Sequence, residues 1–199
     1  KVYDNEEEVG AALRDSGRSR DDIFVTTKLR RADATGFEQT IAECDESLAR
    51  LGLDYVDMYL VHAPPEDISA RVDVWRGMEE VLESGRSRAI GVSNYGAHHL
   101  DQLLENARFG PAVNQVEIHP WLQRPQLIKA TRAAGAVPMA YSRLARGHKV
   151  TDARLAEIAT QIGCTPAQAA LAWCMAEGYI TIPKSANEAR IAENLATVN

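Results

Sequence analysis

The chain has 199 residues, with 22 Lys and Arg against 28 Asp and Glu, for a formal net charge of −6 with His neutral. Its 45% apolar and 25% charged residues are ordinary for a globular domain. No apolar run approaches the roughly 18 residues a membrane-crossing helix needs, and the acidic balance argues against nucleic acid as the main partner.

No basic n-region and apolar h-region open the chain, so no secretory signal is visible. Cys44, Cys164 and Cys174 are too few and too scattered for a disulfide framework, and none has metal-ligand spacing. They are expected as reduced thiols of a cytoplasmic protein. The chain opens at Lys1 and its first Met is Met58, so a start further upstream is expected.

In chain order, Asp4 with Glu7 fits a capping box opening a helix, and Gly17 fits its stop. A β-branched apolar run follows at 23–27. Phe37, Ile41, Cys44, Leu48 and Leu51 then fall on one helical stripe ended by Gly52. A run at 55–61 precedes the stripe of Trp75, Met78 and Leu82, ended by Gly85. The run at 89–93 is followed by Leu100, Leu103, Leu104 and Ala107, and the run at 112–117 by a helix stopping at Gly135. The run at 137–141 leads to a stripe of Leu155, Ile158, Ala159 and Ile162. Thr165-Pro166-Ala167-Gln168 carries an N-cap, a Pro at the first helical position and a Gln at the third. The last run is at 180–183, and Asn187 fits the cap of a final helix with Arg190 in its first turn. No Pro/Gly/Ser linker divides the chain, so residues 1–199 are expected as one domain.

Strands alternating with helices imply βαβ units and a parallel sheet. An open dinucleotide-binding sheet would carry G-x-G-x-x-G after its first strand, and no such motif is present. A (β/α)8 barrel instead gathers polar residues at the C-terminal ends of many strands. The predicted strands end at Lys28, at His62, at Ser93-Asn94, at Gln115 with Glu117, at Tyr141-Ser142 and at Lys184-Ser185. The fold class is therefore α/β, a (β/α)8 TIM barrel with six of the eight strands visible.

Taken singly, Lys28 reads as a solvated strand end, His62 as a structural histidine and Tyr3 as a packing residue. Brought to one face, a Tyr, a Lys and a His make a proton-donating site. A nearby ammonium lowers the phenol pKa from about 10, and a His can hydrogen-bond a carbonyl. Lys184, Ser185 and Arg190 supply cations and a hydroxyl suited to a phosphate, Arg offering a planar fork. Arg190 in a first helical turn opposes the helix dipole, a conflict that a bound anion removes.

These residues stand in a series of motifs that resembles the aldo-keto reductases over essentially the whole length. The motifs are Tyr3-Asp4-Asn5-Glu6, Thr26-Thr27-Lys28, Ser47-Leu48, Tyr55-Val56-Asp57, Leu60-Val61-His62, Gly91-Val92-Ser93-Asn94, Asn114-Gln115-Val116-Glu117 with His119-Pro120, Ala140-Tyr141-Ser142, and Ile182-Pro183-Lys184-Ser185 with Arg190 and Glu193-Asn194. The resemblance implies NADPH-dependent reduction of a small carbonyl substrate. It implies Tyr3 as the acid, Lys28 as its assistant and His62 as the group that orients the carbonyl. Ser93, Asn94 and Gln115 match the holders of the nicotinamide carboxamide, and Tyr141 matches the ring stacked on the nicotinamide. Ser142 and Leu144 match the stretch facing the pyrophosphate. Lys184, Ser185 and Arg190 match the clamp on the 2′-phosphate of NADP, and Glu193 and Asn194 match the adenine contacts.

The sequence also departs from the family pattern. The family's Asp, expected five residues before Tyr3, and the segment bearing two further strands precede Lys1, and the C-terminal loop follows Asn199. A complete barrel is expected to be monomeric, and an unclosed one to pair its edges with another copy. Ala63 stands where many relatives carry a Trp, which opens the pocket, and Arg143 stands where a Pro is usual. Trp121 is a candidate pocket wall, and His98, His99 and His148 are expected at the surface. Two other functions compete. One is a catalytically impaired short form that keeps the coenzyme clamp as a nucleotide-binding module. The other is a barrel lyase or isomerase for phosphorylated substrates, which would not need the set Ser93, Asn94 and Gln115.

Overall fold

The computed structural model describes residues 4–29, 36–142 and 151–198. Strands and helices alternate along them, which is the α/β class expected. The chain groups into two compact units, Lys1–Asn114 with Ala133–Ala136, and Gln115–Arg132 with Val137–Asn199.

In the first unit, α1 (Glu6–Asp15), β1 (Thr26–Leu29), α2 (Phe37–Leu51), β2 (Met58–Val61), α3 (Ile68–Glu83), β3 (Ile90–Ser93) and α4 (Ala97–Leu104) follow in order. The three strands are neighbours and parallel, with Lys28 opposite Leu60 and Leu60 opposite Gly91. Side chains alternate across a strand. Leu29, Tyr59, Val61, Ile90 and Val92 are buried in one cluster with Cys44 and Leu48 of α2 and Val74, Trp75 and Met78 of α3. The alternate positions Lys28, Leu60, His62, Gly91 and Ser93 therefore share the opposite face. Gly91 keeps that face close-packed, since a Cβ there would stand 2.9 Å from Leu60 Cδ2 and from the Val113 carbonyl oxygen.

The second unit carries β4 (Val113–Glu117, from Gln115 onward), α5 (Pro125–Ala133), β5 (Val137–Tyr141), α6 (Ala153–Gln161), α7 (Pro166–Ala176), β6 (Ile180–Thr181) and α8 (Glu188–Leu195). Strands β4, β5 and β6 lie in that order, and β5 pairs in parallel with β6 through Met139 opposite Ile180. Val116, Ile118, Ile128, Ala140, Cys174 and Tyr179 form one buried cluster. Leu155, Ala159, Ala169 and Ala170 form another, against which Trp121 packs.

Three local expectations shift. The first strand starts at Thr26, three residues into the apolar run at 23–27, and runs one residue past Lys28, its expected end, to Leu29. Its earlier backbone is engaged by Asp57: Val25 N–H donates to Asp57 Oδ2, and the Val25 carbonyl accepts from the amides of Asp57 and Met58. The first helix is capped at Asn5, not Asp4, with no side-chain cap hydrogen bond. Ile162 falls at the C-cap of α6, one residue past the helix, so it leaves the apolar stripe and is 61% exposed. The expected capping box at Thr165 and Gln168 is present on both sides, and the Asn187 side chain accepts from the Arg190 amide.

Candidate active site

Tyr3 and Leu144 lie outside the described residues. Within the first unit, Lys28 and His62 stand on the shared strand face, one row apart. Both are half-buried. Burial holds the Lys28 ammonium below its ordinary pKa. Burial also lowers His62, and repulsion from the Lys28 ammonium adds to it. His62 is therefore a neutral imidazole at pH 7, able to donate one N–H and accept at its other nitrogen.

Ser93 ends β3 and is buried. Asn94 follows it in the left-handed region, at φ 61°, a conformation Asn tolerates through its short polar side chain. Its Nδ2 donates to the His62 carbonyl at 2.9 Å and to Ser93 Oγ at 3.1 Å. The ends of β2 and β3 are thus tied together by one amide. Asn114 reinforces the same turn, its Nδ2 donating to the Tyr95 carbonyl at 3.0 Å.

Within the second unit, Gln115 is buried and its Nε2 approaches Met139 Sδ at 2.9 Å. Val116 and Ala140 point to the helix-packed cluster, so Gln115, Met139 and Tyr141 share the other face. Ser142 follows β5 at φ 51°. For a Ser this is a strained conformation, and such strain gathers at functional turns. Asn94 and Ser142 both leave a strand through the left-handed region, which turns the backbone off the strand line.

At the end of the second unit, Ser185 Oγ accepts from the Asn187 amide at 3.0 Å, and Asn187 Oδ1 accepts from the Arg190 amide at 3.1 Å. Lys184 and Arg190 are exposed, and among the described residues neither forms an ion pair with a carboxylate. Glu193 is engaged with helix α7: its carboxylate accepts from Thr165 Oγ1 and its carbonyl from Gln168 Nε2. Asn194 lines a groove of about 290 Å3 with Leu171, Met175, Thr181, Pro183 and Ile191.

Several supporting residues carry no signal that sequence spacing alone would assign. Glu6 is buried in the first turn of α1 and is held by Thr27 of β1 and Arg50 of α2. Asp57 is buried and takes Arg20 at 2.7 Å and Arg88 at 3.4 Å, besides the Val25 amide. Both guanidiniums stand over the Tyr55 ring, 4.2 and 4.3 Å from its centre. His99 is half-buried rather than a plain surface residue, because its Nδ1 accepts from the Gly96 amide at 3.1 Å. Trp121 packs against its own core cluster and 5.9 Å from the His119 ring.

No group of His, Cys, Asp and Glu among the described residues could hold a metal ion. No helix among them is long and apolar enough to cross a membrane.

The sequence profile of the Aldo/keto reductase family matches residues 1–199. The chain is 41% identical to morphine 6-dehydrogenase of Pseudomonas putida, over 98% of this chain and 70% of that protein. It is 42% identical to glyoxal reductase of Bacillus subtilis, over 97% of this chain and 69% of that protein. The crystal structure of a Bombyx mori aldo-keto reductase in complex with NADP is similar at a TM-score of 0.90 and 34% identity, covering 100% of this chain and 71% of that one. With the whole chain matched and its strand order that of the (β/α)8 barrel, the protein belongs to the aldo/keto reductase family of oxidoreductases.

Proposed function

We propose that the chain reduces an aldehyde or ketone to the alcohol with NADPH, using Tyr3 as proton donor. The observation that carries this reading is the shared strand face of Lys28, His62 and Ser93. It sets a cation, a neutral imidazole and a hydroxyl in adjacent rows, without a metal ligand set among the described residues. The likeness to glyoxal reductase supports carbonyl reduction, and the likeness to a structure in complex with NADP supports the coenzyme.

The residues present fit that coenzyme. Ser93, Asn94 and Gln115 offer a hydroxyl and two amides to a carboxamide, and Tyr141 offers a ring on the same face as Gln115. Ser142 and Leu144 would face the pyrophosphate. Lys184, Ser185 and Arg190 would hold the 2′-phosphate, with Glu193 and Asn194 beside the adenine. The exposed guanidinium at the start of α8 is the observation that favours a 2′-phosphate. A phosphate there would relieve the conflict between Arg190 and the helix dipole.

The nicotinamide, when bound, supplies the hydride. His62 donates its N–H to the substrate oxygen and fixes the carbonyl. Tyr3 gives its hydroxyl proton to that oxygen as negative charge develops. Lys28 stabilises the phenolate left on Tyr3.

The test is turnover of NADPH with a reactive aromatic aldehyde, followed by nicotinamide absorbance, with Tyr3→Phe beside it. Consumption that depends on Tyr3 is the expected result. Binding of NADPH without consumption would leave a nucleotide-binding module, and the reductase reading would fail.

A further inference from the structure

We infer that His99 is a positioning residue for the coenzyme-holding turn, coupling the grip on the nicotinamide end to pH. The inference rests on the proposed function and concerns how that same site is held.

Helix α4 has Gly96 at its N-cap, a residue with no side chain to cap it. Ordinarily a Ser, Thr, Asp or Asn there would accept from the third helical amide. This chain keeps only the reciprocal half of a capping box, made by an unusual group. His99, at the third helical position, turns back so that Nδ1 accepts the Gly96 N–H at 3.1 Å. That amide lies two residues after Asn94 and three after Ser93. The turn is short and passes through the left-handed region at Asn94, at φ 61°. Its position is therefore set by β3 on one side and by the start of α4 on the other.

Because Nδ1 accepts, the His99 proton sits on Nε2, and the ring must be neutral. Protonation would put a second N–H on Nδ1, pointing at the Gly96 N–H, and the cap would be lost. The titratable and charged groups around the ring do not favour a positive charge on it. His98 lies on the same helix with ring centres 3.8 Å apart. Arg71 of α3 lines the same crevice, its guanidinium donating to Gln102 at 2.8 Å. Tyr95 stands edge-on to His99 at 5.7 Å and is buried, so its hydroxyl stays neutral. No carboxylate lines the crevice to offset the charge. Burial comes first in lowering the His99 pKa, with His98 and Arg71 adding to it. Since the folded state binds this proton less readily than the unfolded chain, the cap is intact at neutral pH. It is lost only as pH falls through the folded value, which lies below the ordinary 6.5.

The experiment measures the dissociation constant of NADP+ between pH 5 and 8 for the wild type, His99→Gln and His99→Leu. Gln at this position can accept from Gly96 but does not titrate. Leu can do neither. The 2′-phosphate itself titrates near pH 6, so the comparison is made between proteins at each pH. The expected result is equal affinity for the wild type and His99→Gln at pH 8. As pH falls through the folded His99 value, the wild type should come to bind about fivefold more weakly than His99→Gln. His99→Leu should be weaker than His99→Gln at every pH. After correction for intrinsic rates, the Gly96 amide should be protected from exchange at pH 8 in the wild type and His99→Gln but not in His99→Leu, and only the wild type should lose that protection in acid.

Parallel NADP+ profiles for the wild type and His99→Gln would overturn the pH coupling. Wild-type affinity in His99→Leu would overturn the positioning role. Absence of NADP+ binding in every protein, with the Gly96 protection pattern intact, would strike the coenzyme reading instead, and the coupling with it.

Discussion

Thr27 Oγ1 donates a 2.6 Å hydrogen bond to Glu6 Oε1, while Arg50 Nε meets Glu6 Oε2 at 2.8 Å. One buried carboxylate thereby joins β1, the first turn of α1 and the last turn of α2. It fixes the start of the helix three residues after Tyr3 and the strand residue just before Lys28.

Replacing Glu6 with Ala should destabilise the protein by about 2–4 kcal/mol, because a half-buried guanidinium and a buried hydroxyl lose their partner. Burial works to raise the Glu6 carboxyl, but the hydrogen bonds from Thr27 and Arg50 outweigh it, so its pKa lies below the ordinary 4.5. A lowered carboxylate pKa contributes stability that is present above pH 4.5 and lost as pH falls through the folded value. Urea unfolding of wild type and Glu6→Ala at pH 7 and pH 3 should show the gap between them narrowing in acid. A gap that is the same at both would count against the ionised form.

Gly10→Ala should also destabilise, by about 2–3 kcal/mol. An exposed helix Gly would gain about 1 kcal/mol from the same change. Here the new Cβ would stand 2.2 Å from the Leu51 carbonyl oxygen, a backbone atom at the end of α2. A raised melting temperature for the variant would contradict this close approach of the two helices.

Asp57→Ala should cost about 3 kcal/mol, since two guanidiniums and the Val25 amide lose one acceptor. Asp57→Asn keeps an acceptor for Val25 and should recover part of the loss. Thermal unfolding of the pair separates the amide contact from the ion pairs.

Arg190→Ala should weaken NADPH binding by about tenfold to a hundredfold, the weight of a lost charge-assisted hydrogen bond. Affinity for NADH, which lacks the 2′-phosphate, should change by less than about twofold on the same reasoning. Fluorescence titration with both coenzymes reads the difference. Equal losses would remove the 2′-phosphate from this end of α8.

Much of the fold was legible because its helices are amphipathic and its strands are short apolar runs. The stripe through Cys44, Leu48 and Leu51 packs as the spacing requires, and β5 has its expected bounds. The boundary at β1 was not legible, because it depends on Asp57, a residue distant in sequence that engages the backbone of Val25. Glu6 was hidden for a different reason. An acidic residue in a first helical turn reads as a complement to the helix dipole, and only tertiary contact shows it to be buried. The strand-end polar residues of the site were visible as a pattern. Their row-by-row placement was not, since it needs the register of Lys28 with Leu60 and of Leu60 with Gly91.

That register imposes a counting rule on the chain. Leu60 shares the row of Lys28 and Gly91, with His62 in the next row, so every second residue from Met58 to His62 belongs to the same side of the sheet. One residue inserted within this stretch would turn His62 toward the helices and carry Tyr59 or Val61 out of the core. Two would restore the side but move His62 one row further from Lys28. Length can therefore vary before Met58 and after His62, while the five positions from Met58 to His62 are fixed in number by the chemistry at their end.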